Sequence, residues 1–182
     1  LDPGNIRWDD SNYQITVAGT IYADDGVSTL GGPTCDGATN VVTIVVDGGS
    51  YTDSVPCAGA NGAYSFSNVS YGGDPSIVVY IDDAADRGSV VTRTPTGDIL
   101  DLDIYVNRVM TRHEDSSPLS IAEMAIYDED DDSDLRFVAA TGTPDTLIVR
   151  PDTELLVASS TTFVPGGNIT LQSGGTGNTY DG

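Results

Sequence analysis

The sequence predicts an all-β sandwich with one short helix, and three observations carry that prediction. Apolar residues recur mostly with period two, the signature of strands that set one face on a core. The apolar segments are short and separated by turn formers, with 21 Gly and 9 Pro among 182 residues and no collagen-like period. Hydrophobic residues make up 38% of the chain, too many for a disordered polymer despite its charge. A chain of this length buries roughly 70% of its unfolded surface, so a real core is attainable.

Taken in order, the first strand runs from Gln14 to Tyr22 and places Ile15, Val17, Gly19 and Ile21 on one face. Val41 to Val46 is a continuous apolar run, suited to a strand covered on both sides. It pairs with Ser50 to Val55 through a turn at Gly48-Gly49, a register that sets Asn40 opposite Cys57. Ala63 to Val69 points Phe66 and Val69 inward with only loose alternation. Ser76 to Ile81 and Ser89 to Thr92 follow. In Ile99 to Val106, the residues Leu100, Leu102, Ile104 and Val106 form one face, with Asp101 and Asp103 on the other.

One stretch departs from the strand pattern. Ser117 precedes Pro118, and Ser120 stands three residues before Glu123, so a short helix near 118–127 starts at an N-cap before Pro or at a capping box one turn later. Beyond residue 140 come very short strands: Thr146 to Val149, Glu154 to Val157, Thr162 to Val164 and Asn168 to Leu171. The reading divides the chain into a sandwich domain over 1–140 and a short-strand extension over 141–182 that pairs with a neighbouring subunit. The last ten residues, Ser173 to Gly182, have almost nothing to bury and need backbone partners to be ordered.

The charge is one-sided: 28 acids against 7 bases, net −21, and every base is Arg. Such a chain is repelled by phosphate backbones and anionic bilayers, which excludes nucleic acid as a partner. Its acidity reads either as adaptation to high salt or as electrostatic spacing between copies. A single His excludes chemistry that needs several imidazoles. No apolar run approaches the roughly 18 residues of a spanning helix, so no transmembrane segment is expected. No charged and apolar leader opens the sequence, which starts at Leu1; the expectation is processing upstream or a piece of a longer polypeptide.

Several residues carry candidate chemistry. Cys35 and Cys57 flank the hairpin, and a disulfide between them would contribute roughly 3 kcal/mol and imply an oxidising, extracellular setting. Asn68-Val69-Ser70 and Asn168-Ile169-Thr170 match the glycosylation triplet, making Asn68 and Asn168 candidate acceptors. Alternate carboxylates at Asp128, Asp130, Asp132 and Asp134 resemble a Ca²⁺ loop, which makes Ca²⁺ the one candidate cofactor. The EF-hand pattern fails, because Ser133 and Ala139 occupy its Gly and Glu positions. Asp82-Asp83 with Asp86 form a carboxylate group in polar turn sequence, poorly shielded for acid–base work on glycosides. His113 has no serine elbow or reactive thiol near it in sequence, which points to a hydrogen-bonded structural role. Trp8, the one Trp, reads as a core plug, a sugar platform or an anchor in a neighbouring subunit.

Val17 to Tyr22, Val41 to Val46, Asn61-Gly62-Ala63-Tyr64-Ser65-Phe66-Ser67-Asn68-Val69 and Ile77 to Ile81 together resemble the transthyretin-like β-sandwich repeats of bacterial surface proteins, the carboxypeptidase-regulatory-like and collagen-adhesin B-type modules. The resemblance covers about a third of the chain. It implies an Ig-like or transthyretin-like antiparallel β-sandwich, here with one short helix and a β-rich C-terminal extension, used outside the cell as a stalk or shaft. The Lys–Asn crosslink of many such repeats cannot form, because the chain has no Lys. The resulting expectation is a non-enzymatic extracellular structural protein, a homopolymer built by strand addition between copies from Leu1 to Tyr13 or Thr153 to Gly182. The alternative is a monomeric surface adhesion or carbohydrate-binding module stabilised by Ca²⁺.

Overall fold

The computed structural model describes residues 13–23, 26–30, 41–56, 61–93, 95–127, 132–172 and 180–181. In chain order the strands are β1 (Tyr13–Tyr22), β2 (Val41–Val46), β3 (Tyr51–Pro56), β4 (Ala63–Tyr71), β5 (Ser76–Asp82), β6 (Ser89–Arg93), β7 (Ile104–Tyr105) and β8 (Arg108–Thr111). The helix α1 (Ile121–Met124) runs into a 3₁₀ turn over Ala125–Tyr127. After it come β9 (Phe137–Ala140), β10 (Asp145–Val149), β11 (Glu154–Val157), β12 (Gly167–Leu171) and β13 (Tyr180–Asp181).

The chain forms an all-β sandwich, and the sandwich has three layers. A seven-stranded sheet, ordered β13-β11-β8-β6-β5-β2-β3, lies between two three-stranded sheets, β4-β1-β7 and β12-β10-β9. Each face of the large sheet carries its own core. Val42, Ile44 and Val46 of β2, Ile77, Val79 and Ile81 of β5, and Val90 of β6 pack with Val17, Ile21, Tyr64 and Phe66 of the β4-β1-β7 layer. Val45, Val78, Tyr80, Val91 and Val109 face the other way, onto α1, Phe137, Leu147 and Val149. Successive strand residues point to opposite faces, so a strand covered twice must be apolar at every position. The Ile77 to Ile81 run of β5 and Val41–Val46 have that character except at Thr43, whose buried hydroxyl bonds to Ser54 and Asp82, and the run predicted to be doubly covered is so.

The sheets are mixed rather than wholly antiparallel, and the parallel pairs explain the three layers. β6 and β8 are parallel neighbours, as are β8 and β11, and β11 and β13. Parallel strands require a crossover. Residues between β6 and β8 cross one face and lie along β1, where Ile99 and Leu102 donate backbone N–H groups to Thr16 and Ala18. Residues between β8 and β11 cross the other face as α1, β9 and β10, and the return to β13 adds β12 to that layer. Gly19 lets the first crossover sit close. A Cβ there would run into the Leu102 carbonyl, which accepts the Tyr64 hydroxyl hydrogen bond.

Local signals explain the remaining detail. The hairpin keeps the expected register, Val46 opposite Tyr51 and Val41 opposite Pro56, with Gly48 at φ 61° and Gly49 at φ 102° in its turn. In β4 the loose alternation is a bulge: the β1 register shifts between Ile15 and Val17, and Asn68 adopts φ 59° so that Phe66 and Val69 both stay buried. The helix is shorter than 118–127 and begins at the capping box, where Ser120 and Glu123 cap each other's backbone N–H. Two expectations need correction. Leu100 is 67% exposed while Ile99 is buried, because a turn from Asp101 O to Asp103 N steps the phase before Leu102. Thr162 to Val164 is not a strand; it holds one bridge, Phe163 to Leu119.

Candidate functional site

Three places collect the chemistry that the fold creates. The first is an acidic junction. The end of β5 brings Asp82 and Asp83 to the segment before β9, where oxygens of Asp82, Asp83 and Asp134 lie within 4.8 Å of one another. The carboxylates of Asp82, Asp132 and Asp134 are engaged by protein donors, and Asp83 takes part through its backbone N–H. Thr43 Oγ1 donates to Asp82 Oδ2 (3.0 Å), and the Asp83 N–H donates to Asp134 Oδ2 (2.7 Å). The Tyr80 hydroxyl donates to Asp132 Oδ2 (2.7 Å), and the Asp134 N–H to Asp132 Oδ1 (2.8 Å). Arg87 Nη1 lies 2.7 Å from Asp134 Oδ1. Burial pushes the Asp82 carboxyl above its usual range; the Thr43 hydroxyl opposes this, and Asp132, Asp83 and Asp134 add to it. Burial and repulsion from Arg87 and Arg150 lower the nearby Arg136 guanidinium.

Of the four alternate carboxylates singled out in the sequence, Asp128 and Asp130 lie outside the described residues. Asp132 and Asp134 fasten the loop before β9 to β5 rather than lining up as a row. The residues able to share a cation are Asp82, Asp83 and Asp134, a set split between distant segments that spacing could not show. Ca²⁺ takes six to eight oxygens, and the Asp134 carboxylate of this set is already held by the Arg87 guanidinium.

The second place is a cleft of about 280 Å³ where the seven-stranded sheet extends past β7, the edge of the smaller layer. It is lined by Met110, Leu156 and Ala158, which pack against the core, and by Asp101, Asp103, Tyr105 and Arg112. Arg112 is pinned by Nε to Glu114 (2.8 Å) and by Nη1 to the Asp101 carbonyl (2.8 Å). Burial lowers the affinity of this guanidinium for its proton, and Glu114 and Asp101 more than reverse the effect. Asp103 accepts the Thr20 N–H at 2.8 Å, and its carboxyl is raised by burial, less the effect of that hydrogen bond, with Asp101 adding repulsion.

The third place is the pair of edges of the large sheet. At one edge, β3 exposes Thr52, Asp53 and Ser54 and ends at Pro56, features that discourage further pairing. At the other, β11 pairs in parallel with β13 as Leu155 to Tyr180 and Leu156 to Asp181, while the Leu155 and Leu156 side chains pack into the two opposite cores.

The remaining sequence candidates are quickly placed. Asn68 and Asn168 are both exposed, on β4 and β12. His113 Nε2 accepts the Thr162 N–H at 2.9 Å. Cys35, Cys57 and Trp8 lie outside the described residues. No helix among the described residues is long and apolar enough to cross a membrane.

The molecule is an all-β protein of layered, mixed sheets. Comparison with family models, with curated proteins and with solved structures returns no match. Nothing in these comparisons identifies the transthyretin-like repeat that residues 17 to 81 resemble in sequence.

Proposed function

We propose that this chain is a non-enzymatic structural protein of the cell exterior, a filament subunit whose copies join by exchanging a strand at the β11 edge. The observation that carries the reading is the pairing of β13 with β11. Among the described residues, the β11 edge of the central sheet is closed by two residues of β13, which follow a stretch containing Gly174, Gly175 and Gly177. The same pairing made by β13 of a second copy preserves every backbone hydrogen bond, so exchange costs little once copies are concentrated. A head-to-tail contact of this kind that does not close into a ring continues as a fibre. The charged, proline-ended β3 edge would leave growth to one side only. The extracellular setting rests on the sequence expectation of a Cys35–Cys57 disulfide, whose two residues lie outside the described ones.

The test compares the full chain with a version truncated after Gln172, by electron microscopy and by light scattering across a concentration series. Concentration-dependent fibres from the full chain, lost on truncation and blocked by excess free peptide spanning 173–182, are expected. Fibres from the truncated chain, or a monodisperse monomer from the full chain at every concentration, would overturn the proposal.

A further inference from the structure

At the acidic junction the carboxylates of Asp82, Asp132 and Asp134 are already committed to protein donors. The cleft beside β7 offers a cavity that nothing in the sandwich itself requires. We propose that this cleft is a binding site for a single neutral pyranose ring. The inference does not require strand exchange, although Leu156 of β11, which pairs with β13, also lines the cleft.

Size comes first. At about 280 Å³ the cleft lies just below the range of roughly 300–1,000 Å³ for ligand pockets, which suits one saturated ring rather than a chain of them. Shape and polarity agree. Among the lining residues Met110, Leu156 and Ala158 are apolar and suit the C–H face of a ring, and Tyr105 adds an aromatic ring. The same lining holds two carboxylates, Asp101 and Asp103, together with the Arg112 guanidinium and the Ser159 hydroxyl. Hydroxyl groups both donate and accept. A polyol can therefore give its protons to the carboxylates and take a hydrogen bond from the guanidinium or the serine.

Charge narrows the class further. An anionic ligand would meet two carboxylates on a chain of net charge −21. A cationic ligand would meet Arg112, which Glu114 and Asp101 hold in place. A neutral polyhydroxylated ring avoids both penalties. The lining is also set before any ligand arrives: Asp103 is tied to β1 through the Thr20 N–H, and Tyr105 stacks on Tyr22 with ring centroids 5.1 Å apart. Such preorganisation lowers the ordering cost of binding.

The experiment uses the full chain, isotopically labelled, titrated with methyl α-glucopyranoside, methyl α-mannopyranoside and methyl β-galactopyranoside and read by amide chemical shifts. At least one glycoside is expected to saturate at millimolar concentration, with the largest shifts at Tyr105, Met110 and Ala158. The matching methyl glucuronide, whose ring differs by a carboxylate, is expected to bind at least about tenfold more weakly, a difference of about 1.4 kcal/mol. Asp101→Asn and Asp103→Asn should each weaken the neutral glycoside about tenfold or more, the scale of a lost charged hydrogen bond. Both variants keep an acceptor oxygen for the existing partners, and their unchanged spectra away from the cleft would establish folding. The absence of saturable shifts at the cleft with all three glycosides would overturn the proposal. Equal binding of the glucuronide, tighter binding of tetramethylammonium than of any sugar, or unaltered affinity in both variants would do the same.

Discussion

Replacing Leu147 by Ala tests the three-layer arrangement directly. Leu147 is fully buried on β10, in the core that the outer layer shares with the large sheet, and pairs across to Ala139 and Ile169. The substitution removes three carbons; at about 0.8 kcal/mol each plus a contribution from the cavity, the expected loss is about 3–4 kcal/mol. For a chain of this size that corresponds to a fall in Tm of roughly 6–15 °C. Urea denaturation measures the loss, and native-state amide exchange shows where it is felt. Because β2, β5, β6 and β8 belong to both cores, the amides of Val17 and Phe66 in the opposite layer should lose protection along with those of β10. A cost under about 1 kcal/mol, or faster exchange confined to β9, β10 and β12, would refute a single unit built on a shared sheet.

Two further outcomes follow from the geometry. Burial holds the Asp82 carboxyl above its ordinary 3.8, so its stability contribution is complete below that value and is lost as pH rises through the raised pKa. Asp82→Asn should therefore gain Tm relative to the parent as pH is raised from about 3 to about 7, and a constant offset across thermal melts would contradict this. Gly19→Ala places a methyl against the Leu102 carbonyl and should cost about 1–3 kcal/mol in chemical denaturation; an unchanged midpoint would show that the crossover does not lie against β1 as described.

Most strands were legible because each is written in local periodicity. The β2–β3 hairpin even gave its register, since two glycines able to adopt positive φ admit one tight turn. The capping box placed the helix start because two side chains three residues apart suffice to form it. β8 and β9 escaped notice: Arg108–Thr111 and Phe137–Ala140 are four residues each, too short for a period to declare itself. The slip at Leu100 has a similar cause, because a turn inside an alternating run reverses the phase without changing the composition.

Composition and short-range pattern determined that this chain is a strand-built, strongly acidic protein with one capped helix, and that β2 lies under cover on both faces. Those properties depend on neighbours in sequence. The tertiary structure decided that two crossovers would wrap opposite faces of one large sheet, making three layers. It also joined Asp82 and Asp83 to Asp134, opened the cleft between Asp103 and Leu156, and paired the β11 edge with β13. Each of these brings together residues far apart along the chain, and strand order is set by which buried faces fit one another, a choice that periodicity along a single strand does not encode.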